Sequence, residues 1–94
     1  MDKHAHLDEC QFRLAARRNR LVGLWAARQL GKTGADAEGY AIEVMFADLL
    51  EAGDDDVIFK LRADFAGSGV NVTDAEIMAK LREMGDEARR QVTH

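Results

Sequence analysis

Between Leu7 and Trp25 the apolar residues Leu7, Cys10, Leu14, Leu21, Leu24 and Trp25 recur at spacings of three, four and seven. Such spacings lay a single stripe along a helix. They predict a first helix from Leu7 to Leu30, about 36 Å long. Asp8 and Glu9 in its first turn, and Arg28 and Lys32 at its end, suit the helix dipole. Gly31 is a natural left-handed stop. Two residues disturb the pattern. Arg17 falls on the seam between Leu14 and Leu21, and Gly23 costs about 1 kcal/mol in a helix interior relative to alanine. The glycine implies either close packing of another helix or a kink.

A second helix follows, with Thr33 as N-cap and Asp36 at its third position. Its inward stripe is Ala37, Tyr40, Ala41, Val44 and Met45, continuing to Asp48 or Leu49. Ile42, Phe46 and Leu50 widen the apolar surface, so this helix should touch two neighbours. It should reach Ala52, where Gly53 ends it. Asp54, Asp55 and Asp56 open a third helix of about three turns. Its stripe is Val57, Ile58, Leu61 and Phe65, and Gly67-Ser68-Gly69 stops it. Thr73 and Glu76 form a capping box, with Val72 and Ile77 as hydrophobic staple. The last helix buries Ile77, Leu81, Met84 and Ala88, and carries Arg89 and Arg90 near its C-terminus. Residues 1–6 and 91–94 are expected to fray. Four amphipathic helices on short loops imply an all-α fold, a small four-helix bundle in one domain of residues 1–94.

Composition sharpens this picture. Proline is absent, hydrophobic residues are 47% and charged residues 32%, as in soluble helical domains. No apolar run approaches the roughly 20 residues of a membrane span, and the polar start is no secretory signal. These features point to a cytoplasmic protein without membrane insertion. Cys10 stands alone, which excludes an internal disulfide. The net charge of −4 is unevenly spread. Residues 11–32 hold six bases and no acid, whereas residues 33–59 hold eight acids and no base. The second stretch should cradle the first, with one sign left to face a partner.

Candidate chemistry is thin. His4, His6 and Cys10 lack a fourth metal ligand. Neither phosphate-loop nor dinucleotide motifs occur, and Cys10 has no placed base beyond His6. No catalytic residue, metal or cofactor is expected. The acidic pI of about 5.3 and the lack of an aromatic ladder argue against nucleic acid. Arg17, Arg18 and Arg20 cannot share one helix face. Arg17 should turn inward to Asp48 or Asp64, leaving Arg18 and Arg20 outside. Trp25 should pack in the core or present an edge in an interface groove.

The block ARRNRLVGLWAA, Ala16 to Ala27, with Leu30-Gly31, resembles the central motif of the alphaproteobacterial ATP synthase zeta subunits. The likeness continues through Gly39-Tyr40-Ala41, Glu43-Val44, Ala47-Asp48, Gly53 to Val57, Lys60 to Phe65, Gly69-Val70, Val72-Thr73-Asp74, Ile77 and Lys80-Leu81. It implies a regulatory, non-enzymatic protein that binds the α, β and γ subunits of F1-ATPase. An N-terminal arm, Met1 to Leu14, would insert at a catalytic α/β interface and inhibit ATP hydrolysis as a one-way block on rotation. The partner-binding residues would be Asp8, Glu9, Phe12, Arg13, Arg17, Arg18, Asn19, Arg20 and Trp25. Members usually carry a further charged segment ahead of the block matching His4 to Glu9, with phenylalanine where His4 stands and more polar residues at Leu7 and Cys10. This chain starts almost at the block, and weakened inhibition is the expectation. Two alternatives compete. One is a bundle that binds nucleotide weakly as a sensor, drawing on the cations and Tyr40. The other is a divergent copy that binds a different protein.

Overall fold

The computed structural model describes the backbone of residues 2–47 and 55–92, and the side chains of 11–47 and 55–91. Every regular element among them is a helix: α1 (Asp2–Gln29), α2 (Gly34–Ala47), α3 (Asp55–Gly67) and α4 (Asp74–Val92). α1 packs on α2 and α4, and α3 closes the ring against both of those helices. This is the four-helix bundle expected from periodicity. α1 begins at Asp2 rather than Leu7 and so takes in the stretch for which fraying was expected; α4 likewise includes Gln91. The expected stop of α2 at Gly53, its seam positions Asp48 and Leu49, and Leu50 lie outside the described residues. So do Met1, Thr93 and His94.

The helix ends follow local chemistry closely. Gly31 has φ 80°. The Lys32 amide donates to the Ala27 carbonyl at 2.8 Å and the Gly31 amide to Arg28 at 3.1 Å. That nested pair is a Schellman stop, which satisfies two orphan carbonyls and needs a left-handed residue. Gly69 (φ 70°) repeats it, with Val70 donating to Phe65 at 2.9 Å and Gly69 to Ala66 at 3.2 Å. At the start of α4 the Thr73 amide donates to Glu76 Oε1 at 2.9 Å. The Glu76 amide donates back to Thr73 Oγ1 at 3.1 Å, closing the capping box. At the start of α2 the Thr33 carbonyl accepts from the amides of Asp36 and Ala37.

The core consists of Val22, Ala26 and Ala27 of α1, Ala37, Tyr40 and Val44 of α2, Val57, Leu61 and Phe65 of α3, and Ile77 and Leu81 of α4. For α2, α3 and α4 these are positions the periodicity selects. For α1 they are not. The buried face runs through Asn19, Val22, Gly23, Ala26 and Ala27, while Leu21, Leu24 and Trp25 are half-buried beside it. The cause is closeness of approach. A Cβ built on Gly23 would sit 2.7 Å from the Ala41 Cα and 3.1 Å from the Val44 Cβ. The mid-helix glycine therefore marks close packing of α2. Its small neighbours, Ala26 and Ala27, let the two backbones meet along the same face. Ile42 and Phe46, expected to widen the contact surface of α2, are exposed. α2 does reach two neighbours, and beside the shared core it meets α3 through polar groups: the Tyr40 hydroxyl donates to Asp64, and Lys60 to Glu43.

Candidate functional site

The stretch from Phe12 to Trp25 spans nearly four turns of α1, and those turns scatter its side chains around the bundle. Arg17 lies nine residues before Ala26, about two and a half turns away and so on the opposite side of the helix. It is exposed, and its Nη1 donates to Gln91 Oε1 at 3.2 Å. This corrects the expectation that Arg17 turns inward to Asp48 or Asp64. Asp48 lies outside the described residues, and Asp64 accepts from Tyr40 and Lys60 instead. The arginine that turns partly inward is Arg18. Its Nε and Nη2 both donate to Asn19 Oδ1, at 3.0 and 2.8 Å.

Asn19 is 1% exposed and is the buried polar side chain among the described residues. A buried amide has to be hydrogen-bonded, and a cationic fork on one oxygen is a strong way of doing so. The resemblance placed Asn19 with the partner-binding residues, but its side chain is held inside the bundle. Gly85 of α4 packs beside Arg18: a Cβ there would meet Arg18 Cδ at 3.7 Å, an ordinary van der Waals contact. Arg20 does not remain available outside. It reaches Glu38 of α2 at 2.7 Å. Both partners are partly exposed to solvent, so the pair contributes at most about 1 kcal/mol. It nevertheless carries the basic-to-acidic complementarity expected between the first two stretches of chain. Phe12 is 51% exposed and Arg13 is exposed. The side chains of Asp8 and Glu9, like those of His4, His6 and Cys10, lie outside the described residues.

Trp25 meets Phe65 edge-on, with ring centroids 5.8 Å apart and planes at 78°. This geometry suits the opposed quadrupoles of two rings. Lys80 Nζ stands over the same ring, 5.5 Å from its centroid. The tryptophan thus links α1 to α3 across the ring of helices and to α4 at its flank.

A polar cluster outside this stretch received no role from the motif spacing. The Tyr40 hydroxyl donates to Asp64 Oδ2 at 2.7 Å. Lys60 Nζ donates to Asp64 at 3.0 Å and to Glu43 at 3.2 Å. Lys60 and Lys32 stand 5.0 and 5.8 Å from the Tyr40 ring centroid. Burial, and then the Asp64 carboxylate it binds, push the Tyr40 phenol well above its usual range. Burial works to raise Asp64, but hydrogen bonds from Tyr40 and Lys60 outweigh it and hold the carboxyl below the usual carboxylate range. The two ends of the pH scale then behave oppositely. The phenol has its pKa raised by folding, so its contribution is complete below about pH 10, the unfolded value, and is lost as pH rises above it. The carboxyl has its pKa lowered, so its contribution is present above about pH 4 and is lost as pH falls. Since Tyr40 is the sole tyrosine, tyrosinate absorbance reads it directly. The expected result is that absorbance and alkaline unfolding rise together. In Tyr40→Phe the alkaline loss of stability should shrink, with about 1–3 kcal/mol lost at neutral pH. Tyrosinate appearing at its ordinary pKa in the folded chain would contradict the Tyr40–Asp64 bond.

Among the described residues no group of three His, Cys, Asp or Glu side chains could hold a metal, and no helix is long and apolar enough to cross a membrane. Comparison with known proteins places the chain more narrowly. The sequence model of a family described as ATPase inhibitor subunit zeta matches residues 2–91. A solved structure, described as the solution NMR structure of a protein, is similar to the chain at 43% identity and a TM-score of 0.78. The match covers 88% of this chain and 94% of that one. No curated protein sequence matches.

Proposed function

The chain belongs to the ATPase inhibitor subunit zeta family, and from that premise we propose that it binds the cytoplasmic F1 sector of ATP synthase and suppresses ATP hydrolysis without catalysing a reaction itself. The match across residues 2–91 carries this reading. The shape of α1 supports a mechanism. Its 28 residues make it about 42 Å long, against about 28 Å for the 19 residues of α4. The difference leaves more of α1 than its neighbour can cover. Met1 to Leu14 is the inserting arm. A helix is about 10–12 Å across with its side chains, so one lodged between an α and a β subunit beside the γ stalk holds that interface in a single state. Rotation that must close the interface is stopped, and rotation that opens it expels the wedge.

Within this reading the candidate residues take different parts. Phe12, Arg13 and Arg17 are exposed and make contact directly. Asn19 and Trp25 act through the bundle, as supports that set the direction of α1. Phe12 offers the cleanest test because it lies outside the core. Phe12→Asp should leave unfolding free energy within about 0.5 kcal/mol of the parent. Removal of an aromatic anchor should weaken inhibition by at least about tenfold, or 1.4 kcal/mol. The assay is ATP hydrolysis by F1 from the same cell, with co-migration of the two proteins. If the parent chain neither inhibits nor co-migrates, the function is wrong. If Phe12→Asp inhibits like the parent, the arm is misplaced.

A further inference from the structure

A groove of about 580 Å³ opens between α1, α3 and α4. Its floor is apolar, built from Leu14 and Ala15 of α1, Ile58 of α3 and Leu81 of α4, and Met78 stands in it 48% exposed. Its rim is cationic. Among the described residues, Arg18, Arg82 and Arg89 line it beside one carboxylate, Asp86, to which Arg89 is paired. A local excess of positive charge around an apolar floor stands out in a chain whose net charge is −4.

We propose that this groove receives an acidic amphipathic helix of the F1 sector, a second contact beside the inserting arm; the proposal rests on the F1 reading given above. Three observations select that occupant. An apolar trough with a charged rim is how a protein takes up one face of a helix. The sign of the rim calls for carboxylates, through charge complementarity that steers encounter and fixes register. Among the described residues the groove includes Gln11 and Leu14, close to the arm, so a helix seated there lies beside the inserted segment.

Met78 and Arg82 are exposed, so Met78→Glu and Arg82→Glu test the groove without opening the core. The measurement is affinity for F1, with hydrogen exchange of residues 78–89 followed free and bound. Both variants should bind F1 at least about tenfold more weakly, their melting unchanged. Arg82→Glu should also flatten the salt dependence of association. In the parent complex the amides of residues 78–89 should gain protection. If the parent binds F1 but neither variant weakens it and residues 78–89 gain no protection, the groove proposal falls while the F1 reading stands. If the parent does not bind F1 at all, both fall. Two other results overturn the groove alone. One is a dimer of the free chain that Met78→Glu dissolves, which would make a second copy the occupant. The other is ATP shifting the groove resonances of the free chain while F1 binding ignores both substitutions.

Discussion

Phe65→Ala should remove about 3–5 kcal/mol of folding free energy, a large part of the roughly 5–15 kcal/mol typical of a domain. Phe65 is 1% exposed and among the largest fully buried side chains. It packs with Val57 and Leu61 of its own helix, and its ring meets Trp25 across the bundle. Truncation loses apolar transfer energy, leaves a cavity and forfeits the edge-to-face contact, the last worth about 0.5–1.5 kcal/mol. The backbone stop of α3 does not depend on the side chain, because it is the Phe65 carbonyl that accepts from Val70. α3 should therefore still end correctly in a weakened bundle. Urea unfolding followed by Trp25 fluorescence measures the effect at its source, since Trp25 is the sole tryptophan. Phe59→Ala is the control: Phe59 is 70% exposed, and its loss should change stability by less than about 0.5 kcal/mol. Equal effects at the two positions would remove Phe65 from the centre of the fold.

Gly23→Ala should destabilise the bundle by about 1–3 kcal/mol, although helix propensity alone assigns it a gain of about 1 kcal/mol. The two effects have opposite signs, and geometry decides between them. The added methyl would stand 2.7 Å from the Ala41 Cα. That atom belongs to the backbone of α2 and cannot rotate away, so α1 and α2 must separate. Separation spreads the loss over Val22, Ala26, Val44 and their contacts. Gly39→Ala supplies the comparison. Gly39 also lies inside a helix, but nothing stands within 4 Å of its missing Cβ. There propensity acts alone, and the variant should gain up to about 1 kcal/mol. Thermal or urea unfolding of the pair reads the sign directly. A stabilised Gly23→Ala would mean that the helices do not meet at this point.

These two positions also show what kind of information the chain carries. Phe65 was legible because α3 has one apolar stripe, Val57-Leu61-Phe65, and a thirteen-residue helix has few ways to bury it. Gly23 was legible as an anomaly, a costly residue that demanded a neighbour. Which face of α1 would be buried was not legible. The larger residues Leu14, Leu21, Leu24 and Trp25 make the stronger hydrophobic pattern, whereas the face that packs deepest is Asn19-Val22-Gly23-Ala26-Ala27. Hydrophobicity scales with area, so size dominates a periodicity reading, whereas interhelical distance is set by the smallest side chains on the facing surface.

The arginines illustrate the same limit. Helical geometry alone requires that Arg17, Arg18 and Arg20 diverge. Their partners Gln91, Asn19 and Glu38 could not be chosen from spacing, because two of the three sit on other helices. Of the polar cluster, only the i, i+4 pair Lys60–Asp64 could be read from spacing; its ties to Tyr40 and Glu43 could not. Tyr40 and Asp64 are 24 residues apart, and nothing local ties a tyrosine to a distant carboxylate. The docking groove requires α1, α3 and α4 to be in place before its floor exists.

The sequence by itself determined the number of helices, most of their ends and the stripes of α2, α3 and α4. Those properties depend on interactions within a turn or two: a left-handed glycine, a capping box, an apolar period. It also carried the block by which the family is told. Only the tertiary structure decided the buried face of α1, the inward turn of Arg18 to Asn19 and the outward turn of Arg17. Those follow from how closely α2 and α4 approach α1, and closeness belongs to pairs of helices, not to any one of them.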